Sequence, residues 1–176
     1  MPVEIPTNNP ERKEVLEDNA RKFTLGTLDP MLLNEHHAAS FILTVDWLET
    51  EEANEKKVAY KQFTTGDVQI LLIAKVTKNG NRTTTKEKIS EEEYSELRTA
   101  SVLHLEKKRY EFDYVQNDMA FSMKYDEFTD SRLRILEVDA TNEATRDAFR
   151  PQNFPTKLNE VTGDIKYYGY RVTTVI

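Results

Sequence analysis

The second half of the chain carries pairs of like-charged residues spaced two positions apart. Lys107 and Arg109 form a cationic pair, and Glu137 and Asp139 form an acidic pair. Because side chains alternate between the two faces of a strand, residues two apart on a strand share a face. Cations and carboxylates gathered on one surface could line a polar cavity that holds a charged ligand. The alternative is the ordinary solvent-facing side of an antiparallel sheet.

Three consecutive strands are predicted to position these pairs, at about 105–115, 119–128 and 132–140. The breaks between them carry turn-forming residues, Gln116-Asn117-Asp118 and Thr129-Asp130-Ser131, as expected between hairpin strands. On the middle strand Lys124, Asp126 and Phe128 share a face, and on the last strand Leu136, Val138 and Ala140 take the face opposite the acidic pair.

The remaining pattern predicts more strands and a few short helices. Asn79-Gly80 is the strongest hairpin signal, and Ser90 followed by Glu93 forms a capping box. The charged run Glu49–Lys57 is predicted as a solvated loop. Further strands are expected at 18–28, 40–50, 68–78 and 81–89, and helices at 11–17, from Pro30, at 91–101 and at 142–149. The fold class is therefore α+β, mainly antiparallel β, with residues 1–17 as an N-terminal arm or short helix and 18–176 as a single domain.

The composition argues against several classes of protein and of binding site. The 176 residues carry a net charge of −7, which argues against nonspecific nucleic-acid binding. There is no cysteine, hence no disulfide framework or thiolate metal site. The first ten residues lack the apolar core of a signal peptide, and no apolar run approaches membrane-spanning length. A cytoplasmic protein with no nucleic-acid or membrane partner is expected.

Taken in order, the motifs resemble those of the CYTH family, the triphosphate tunnel metalloenzymes, from about residue 18 onward. The family's capped helix resembles Ile89–Leu97, and its Lys-x-Arg-Tyr strand resembles Lys107-Lys108-Arg109-Tyr110. Its Asp-x-Phe strand resembles Asp126-Glu127-Phe128, and its Glu-x-Glu strand resembles Glu137-Val138-Asp139. Its closing segment resembles Val161–Asp164 with Tyr167 and Tyr168.

The resemblance implies an eight-stranded, closed or nearly closed antiparallel barrel with a charged lumen and a few peripheral helices. Cations would bind a triphosphate, and carboxylates would bind Mg²⁺ or Mn²⁺. Together they would neutralise the negative charge on the phosphates, as phosphoryl transfer requires. It implies a metal on Glu137 and Asp139, with Asp126 orienting water as the third catalytic carboxylate. The implied ligand-binding cations are Lys22, Lys61, Lys75, Arg82, Lys86, Lys107 and Arg109.

The first half departs from the family pattern. The opening Glu-x-Glu-x-Lys becomes Asp18-Asn19-Ala20-Arg21-Lys22, and the fourth strand keeps Arg82 but has Thr84 and Lys86 in place of two carboxylates. These changes remove metal ligands and add positive charge. The expected function is therefore binding of a triphosphate, nucleotide or polyphosphate-type anion, with metal-dependent hydrolysis weak or lost.

Other functions stay open. One is an active Mg²⁺- or Mn²⁺-dependent triphosphatase acting on tripolyphosphate, thiamine triphosphate or a nucleotide. Another is a non-catalytic ligand-carrier or interaction barrel, which predicts an apolar lumen. Adenylyl cyclisation shares the family's fold and needs the same metals. The expected partner is a small anionic ligand, and the protein is expected to be a monomer or a homodimer.

Overall fold

The computed structural model describes residues 14–17, 20–51 and 53–176, with side chains for all but the first of these ranges. Contacts group the chain into two compact units. The first unit comprises Leu43–Glu106 together with the strand at 14–17, and the second comprises 20–42 together with Lys107–Ile176. The expectation of a single domain from residue 18 stays a prediction, and residues 1–13 of the predicted arm lie outside the described residues.

Ten strands and three α-helices lie in the described part of the chain. The strands are β1 (Glu14–Glu17), β2 (Arg21–Leu25), β3 (Ala39–Thr50), β4 (Asn54–Phe63), β5 (Val68–Lys78), β6 (Asn81–Lys88), β7 (Leu103–Gln116), β8 (Met119–Phe128), β9 (Arg134–Asp139) and β10 (Leu158–Glu160). The helices are α1 (Pro30–Glu35), α2 (Glu91–Leu97) and α3 (Glu143–Asp147), and short 3₁₀ turns span Arg98–Ala100, Pro151–Asn153, Ile165–Tyr167 and Gly169–Thr174. None of these helices is long and apolar enough to cross a membrane.

The first unit is an antiparallel sheet in the order β3-β4-β5-β6-β1. The predicted hairpin between β5 and β6 is confirmed: Asn79 and Gly80 both have positive φ, 52° and 79°, as a type I′ turn requires. The capping box of α2 is confirmed as well, since the backbone amide of Glu93 donates to Ser90 Oγ over 3.1 Å. The buried side chains of Val58, Ile70 and Tyr94 pack together in this unit's core.

The second unit is an antiparallel sheet in the order β10-β2-β9-β8-β7. The predicted strand parity is confirmed: Leu136 and Val138 are fully buried on the face opposite Glu137. That apolar face forms the unit's core, together with residues that follow the sheet in sequence. Its buried members are Phe23, Leu25, Leu28, Phe112, Phe121, Met123, Tyr125, Leu136, Val138, Phe149 and Phe154.

Two fold expectations need correction. An eight-stranded, closed or nearly closed barrel was expected. In the described part of the chain the hydrogen-bonded order has ten strands and runs from one edge strand, β10, to another, β1, so closure and the number of eight strands were wrong. Residues 14–17 form a strand against β6 and not part of a helix. Sequence could not reveal the ladder bonds to β6, which are long-range backbone contacts that local patterns do not encode.

Candidate functional site

A cross-strand array of charges lies on the second unit's sheet, on the face opposite its apolar core. Strand register places Lys22 of β2 opposite Glu137 of β9, and Glu137 opposite Lys124 of β8. In the neighbouring row Arg109 of β7 stands opposite Asp126 of β8. Directly opposed side chains on adjacent strands are close enough to interact, so the sheet brings residues from distant parts of the chain into one cluster.

Asp126 is the centre of this cluster. Its side chain is only 2% exposed, and both of its oxygens accept charge-assisted hydrogen bonds. Arg109 donates from Nε to Oδ1 and from Nη2 to Oδ2, each over 2.7 Å, and Lys107 donates from Nζ to Oδ2 over 2.8 Å. One buried carboxylate thus orients two cations that are spaced two apart on β7.

Glu137 is the second carboxylate of the cluster, and its contacts are looser. Its Oε2 lies 3.8 Å from Arg109 Nη2 and 4.0 Å from Lys22 Nζ. Its side chain is 20% exposed, compared with 2% for Asp126. Lys22, Lys107 and Arg109 together therefore face two carboxylates, so this group of five carries an excess positive charge.

The pKa values in the cluster follow from burial and from these neighbours. Burial lowers the pKa of Lys107 to about 8, although Asp126 acts in the opposite direction. Burial favours the neutral form of Asp126, but Arg109 and Lys107 overcome it and hold the pKa of this carboxyl well below its usual range. Lys22, and then Arg109, likewise outweigh burial and lower the pKa of Glu137. Both carboxylates are therefore ionised at neutral pH.

The C-terminal segment contacts the cluster through Lys22. The ammonium group of Lys22 donates to the backbone carbonyl of Tyr167 over 2.9 Å and lies 3.9 Å from the centroid of the Tyr168 ring. The Tyr168 hydroxyl in turn accepts a hydrogen bond from the backbone amide of Gly163 over 3.0 Å. A cation over the face of an aromatic ring is attracted by the ring's quadrupole. Residues 163–168 therefore help to fix the position of Lys22.

Several carboxylate oxygens of the expected metal site are already engaged within the protein. Both oxygens of Asp126 are already bound to cations, and Oδ1 of Asp139 accepts the Ala140 amide over 2.8 Å. Among the residues whose placement is described, no group of three or more His, Asp or Glu side chains is arranged to hold a metal. At phosphate-binding sites Mg²⁺ keeps several waters and is usually bound by only one or two carboxylates together with substrate phosphates. The metal site expected on Glu137 and Asp139 stays an untested prediction.

The structure brings three of the seven expected cations together with Asp126 and Glu137. These three are Lys22, Lys107 and Arg109. Asp139 lies on the same strand and face as Glu137 but stands opposite Ser122, one row beyond the cluster. The other four cations belong to the first unit, at Lys61 of β4, Lys75 of β5, and Arg82 and Lys86 of β6.

The first unit also contains a buried carboxylate that the sequence analysis missed. Glu55 is 2% exposed. Its oxygens lie 3.4 Å from Lys57 Nζ and 3.7 Å from Arg82 Nη2. It was missed because the charged run 49–57 was predicted as a solvated loop, whereas β4 begins at Asn54. The alternating pattern of a strand could have revealed it, since Glu55, Lys57 and Lys61 are spaced by even numbers of residues and so share a face of β4.

Comparisons with known proteins give the fold. A solved structure described as the inorganic triphosphatase NE1496 aligns with a TM-score of 0.61 and 21% identity, covering 90% of this chain and 99% of that one. A second, described as the hypothetical protein NE1496, aligns with a TM-score of 0.59 and 22% identity, covering 87% and 95%. The sequence matches no protein-family model and no curated protein sequence. The chain therefore shares the fold of NE1496, over almost the whole of that structure.

Proposed function

We propose that this protein is a CYTH-like protein that binds a triphosphate-type anion through Lys22, Lys107 and Arg109, with metal-dependent hydrolysis weak or lost. The observation that carries the proposal is the buried fork in which Asp126 orients Arg109 and Lys107, with bonds of 2.7–2.8 Å. Phosphate oxygens are bound well by guanidinium and ammonium groups that are already held in place, because little side-chain entropy is then lost. The fold shared with an inorganic triphosphatase supports the choice of ligand class.

In this proposal Asp126 acts as a positioning residue. Two cations on one strand repel each other when buried, and the carboxylate between them offsets that repulsion. A polyanion approaching the excess positive charge would be attracted by Lys22 and by the outer surfaces of the Lys107–Arg109 pair. The overall charge of −7 does not assist this approach, so attraction depends on the local field of the cluster.

The test is calorimetric titration of the full chain with tripolyphosphate in the presence of a chelator. We expect binding without metal, weakened at least about tenfold by Lys107→Ala or Arg109→Ala, which corresponds to one lost charge-assisted contact. Lys157→Ala is the matched control, because it removes an exposed lysine of the same unit outside the segment that contacts Lys22. Absence of metal-free binding, or equal weakening by the control, would refute the proposal.

An active triphosphatase is the second candidate, favoured by the fold shared with the inorganic triphosphatase NE1496. Phosphate release from tripolyphosphate, ATP and thiamine triphosphate, with Mg²⁺ or Mn²⁺ added, separates the two functions. Metal-dependent release that is lost in Glu137→Ala would establish hydrolysis. Binding without release would favour the non-hydrolytic function.

A further inference from the structure

A concavity of about 520 Å³ lies on the second unit, at the end of the β7-β8-β9 sheet. Register aligns Lys108 with Glu127 and Glu127 with Arg134. Each of these residues is the sequence neighbour of a residue on the Asp126 face, so the row occupies the opposite face. Phe128, which also lines the concavity, shares the face of Asp126, and Lys107 Nζ lies 5.1 Å from the centroid of its ring. None of the five residues of the Asp126 cluster lines the concavity. Its eight lining residues are Lys108, Glu127, Phe128, Thr129, Asp130, Ser131, Arg132 and Arg134.

The turn that forms one wall of the concavity is held in place by its own hydrogen bonds. Arg134 Nη1 donates to the backbone carbonyls of Ser131 and Leu133, each over 2.9 Å. Ser131 Oγ accepts the Leu133 amide over 3.0 Å. A wall already ordered in the free protein costs little conformational entropy when a ligand binds.

The charges of the concavity favour an anion. Glu127 is engaged on its inner side, since its Oε2 accepts the Tyr125 hydroxyl over 2.9 Å and lies 3.6 Å from Arg134 Nε. The Tyr125 hydroxyl also accepts the Leu28 amide over 3.2 Å, which anchors this contact in the core. Glu127 therefore offsets Arg134. Lys108, whose Nζ lies 5.1 Å from the centroid of the Tyr110 ring, and the exposed Arg132 supply the positive charge that a ligand would meet.

Lining chemistry and volume set the ligand class. Phe128 is the single apolar residue among the eight that line the concavity, so a ligand held by apolar burial does not suit it. Arginine binds phosphate through parallel N–H donors, and lysine adds a point charge. The volume exceeds that of a phosphate group alone and leaves room for a sugar-sized polar group.

We propose that this concavity binds a small phosphate monoester, with its phosphate group held by Lys108 and Arg132. This site is distinct from the triphosphate-binding cluster. Its ligand carries fewer charges than a triphosphate, because the lining offers the cations Lys108 and Arg132 beside the carboxylate of Asp130.

The experiment titrates the full chain with ribose 5-phosphate, inorganic phosphate and ribose, following the backbone amide resonances of residues 129–132 and the heat of binding. We expect ribose 5-phosphate to shift these resonances, to bind more tightly than inorganic phosphate, and to lose at least about tenfold in affinity in Arg132→Ala. Arg98→Ala, which removes an exposed arginine outside the concavity, should bind like the parent protein.

Two lysines of the same unit provide a matched comparison. Lys108→Ala should weaken ribose 5-phosphate binding, whereas Lys157→Ala, which removes an exposed lysine outside the concavity, should leave it unchanged. Loss of ribose 5-phosphate binding in Arg109→Ala would mean that the monoester occupies the Asp126 cluster, and would overturn the proposal. Equal affinity for phosphate and its ester, or unshifted resonances at millimolar ligand, would overturn it too.

Discussion

Arg109 and Asp126 form a two-bond pair, with Nε donating to Oδ1 and Nη2 donating to Oδ2, both over 2.7 Å. Such bidentate pairs combine strength with a fixed orientation. Because the carboxylate is almost fully buried, the pair pays a desolvation cost that only complete pairing offsets. Both oxygens of Asp126 bind cations, and this pairing fixes the orientation of the Arg109 guanidinium.

Replacement of Asp126 by asparagine tests this positioning role. Asp126→Asn should lower the free energy of unfolding by about 3–5 kcal/mol, because it leaves buried cations unpaired. It should also weaken metal-free binding of tripolyphosphate. Since Asp126 raises the pKa of Lys107, the variant should lower that pKa further, which nitrogen NMR of the lysine side chain would detect.

Asp113→Asn is the control for this substitution, because Asp113 is an exposed carboxylate on the same strand as Arg109. Its unfolding free energy and affinity should remain near those of the parent protein. If Asp126→Asn kept full tripolyphosphate affinity and an unchanged Lys107 pKa, the positioning role would be wrong.

The lowered pKa of Lys107 predicts a pH dependence of binding. Lys107 is charged below its folded pKa of about 8 and neutral above it, so tripolyphosphate affinity should fall as the pH rises through 8, by at most about tenfold per pH unit. Lys107→Arg keeps its charge throughout this range. The dissociation constants of the parent protein and of Lys107→Arg should be measured from pH 7 to 9.5. Because the ligand titrates identically in both experiments, its effect cancels in the ratio of the two constants. A ratio that stays constant with pH would contradict the prediction.

The same pKa predicts the sign of a stability change. The unfolded chain binds more protons than the folded chain between the folded pKa of about 8 and the ordinary lysine value. The contribution of Lys107 to the unfolding free energy should therefore increase with pH across this interval. Urea denaturation at pH 8 and pH 10, compared with Lys107→Met, isolates the contribution, since methionine does not titrate.

Neutralisation of Glu137 should strengthen the binding of an anion. Glu137→Gln removes one negative charge from beside Lys22 and Arg109, and we expect metal-free tripolyphosphate affinity to rise by about tenfold. Glu143→Gln, at an exposed residue of α3, is the control. Weaker binding in Glu137→Gln would indicate that this carboxylate contacts the ligand directly or through a bound ion.

A pair of substitutions at Tyr168 separates the contribution of the ring from that of the hydroxyl. Tyr168→Leu removes the aromatic face beneath Lys22 and should cost about 0.5–2 kcal/mol of unfolding free energy. Tyr168→Phe keeps the ring and removes the hydroxyl that accepts the Gly163 amide, so its cost should be smaller. Thermal and urea denaturation measure both variants, and equal losses would show that Lys22 gains nothing from the ring.

Strand periodicity was sufficient to predict the central part of the fold. The three strands expected at 105–115, 119–128 and 132–140 occur as β7, β8 and β9, and their parity separates the Asp126 face from the Leu136 face. Local signals also predicted the Asn79-Gly80 turn and the Ser90 cap, because each depends on a few neighbouring residues. Helix 91–101 was predicted too long, since only Glu91–Leu97 is α-helical and a 3₁₀ turn follows.

The sequence by itself determined which residue types alternate on which face, because parity is a local property of an extended chain. Tertiary structure decided the partners. Lys22 meets Glu137, 115 positions further along the chain, only because β2 pairs with β9. Asp126 binds Arg109 and Lys107 only because register places Arg109 directly opposite it and Lys107 opposite the nearby Phe128. The burial of Glu55 likewise depends on tertiary structure, since its strand β4 pairs with β5. Pairing between distant strands is set by long-range backbone bonds and burial, which no local pattern encodes.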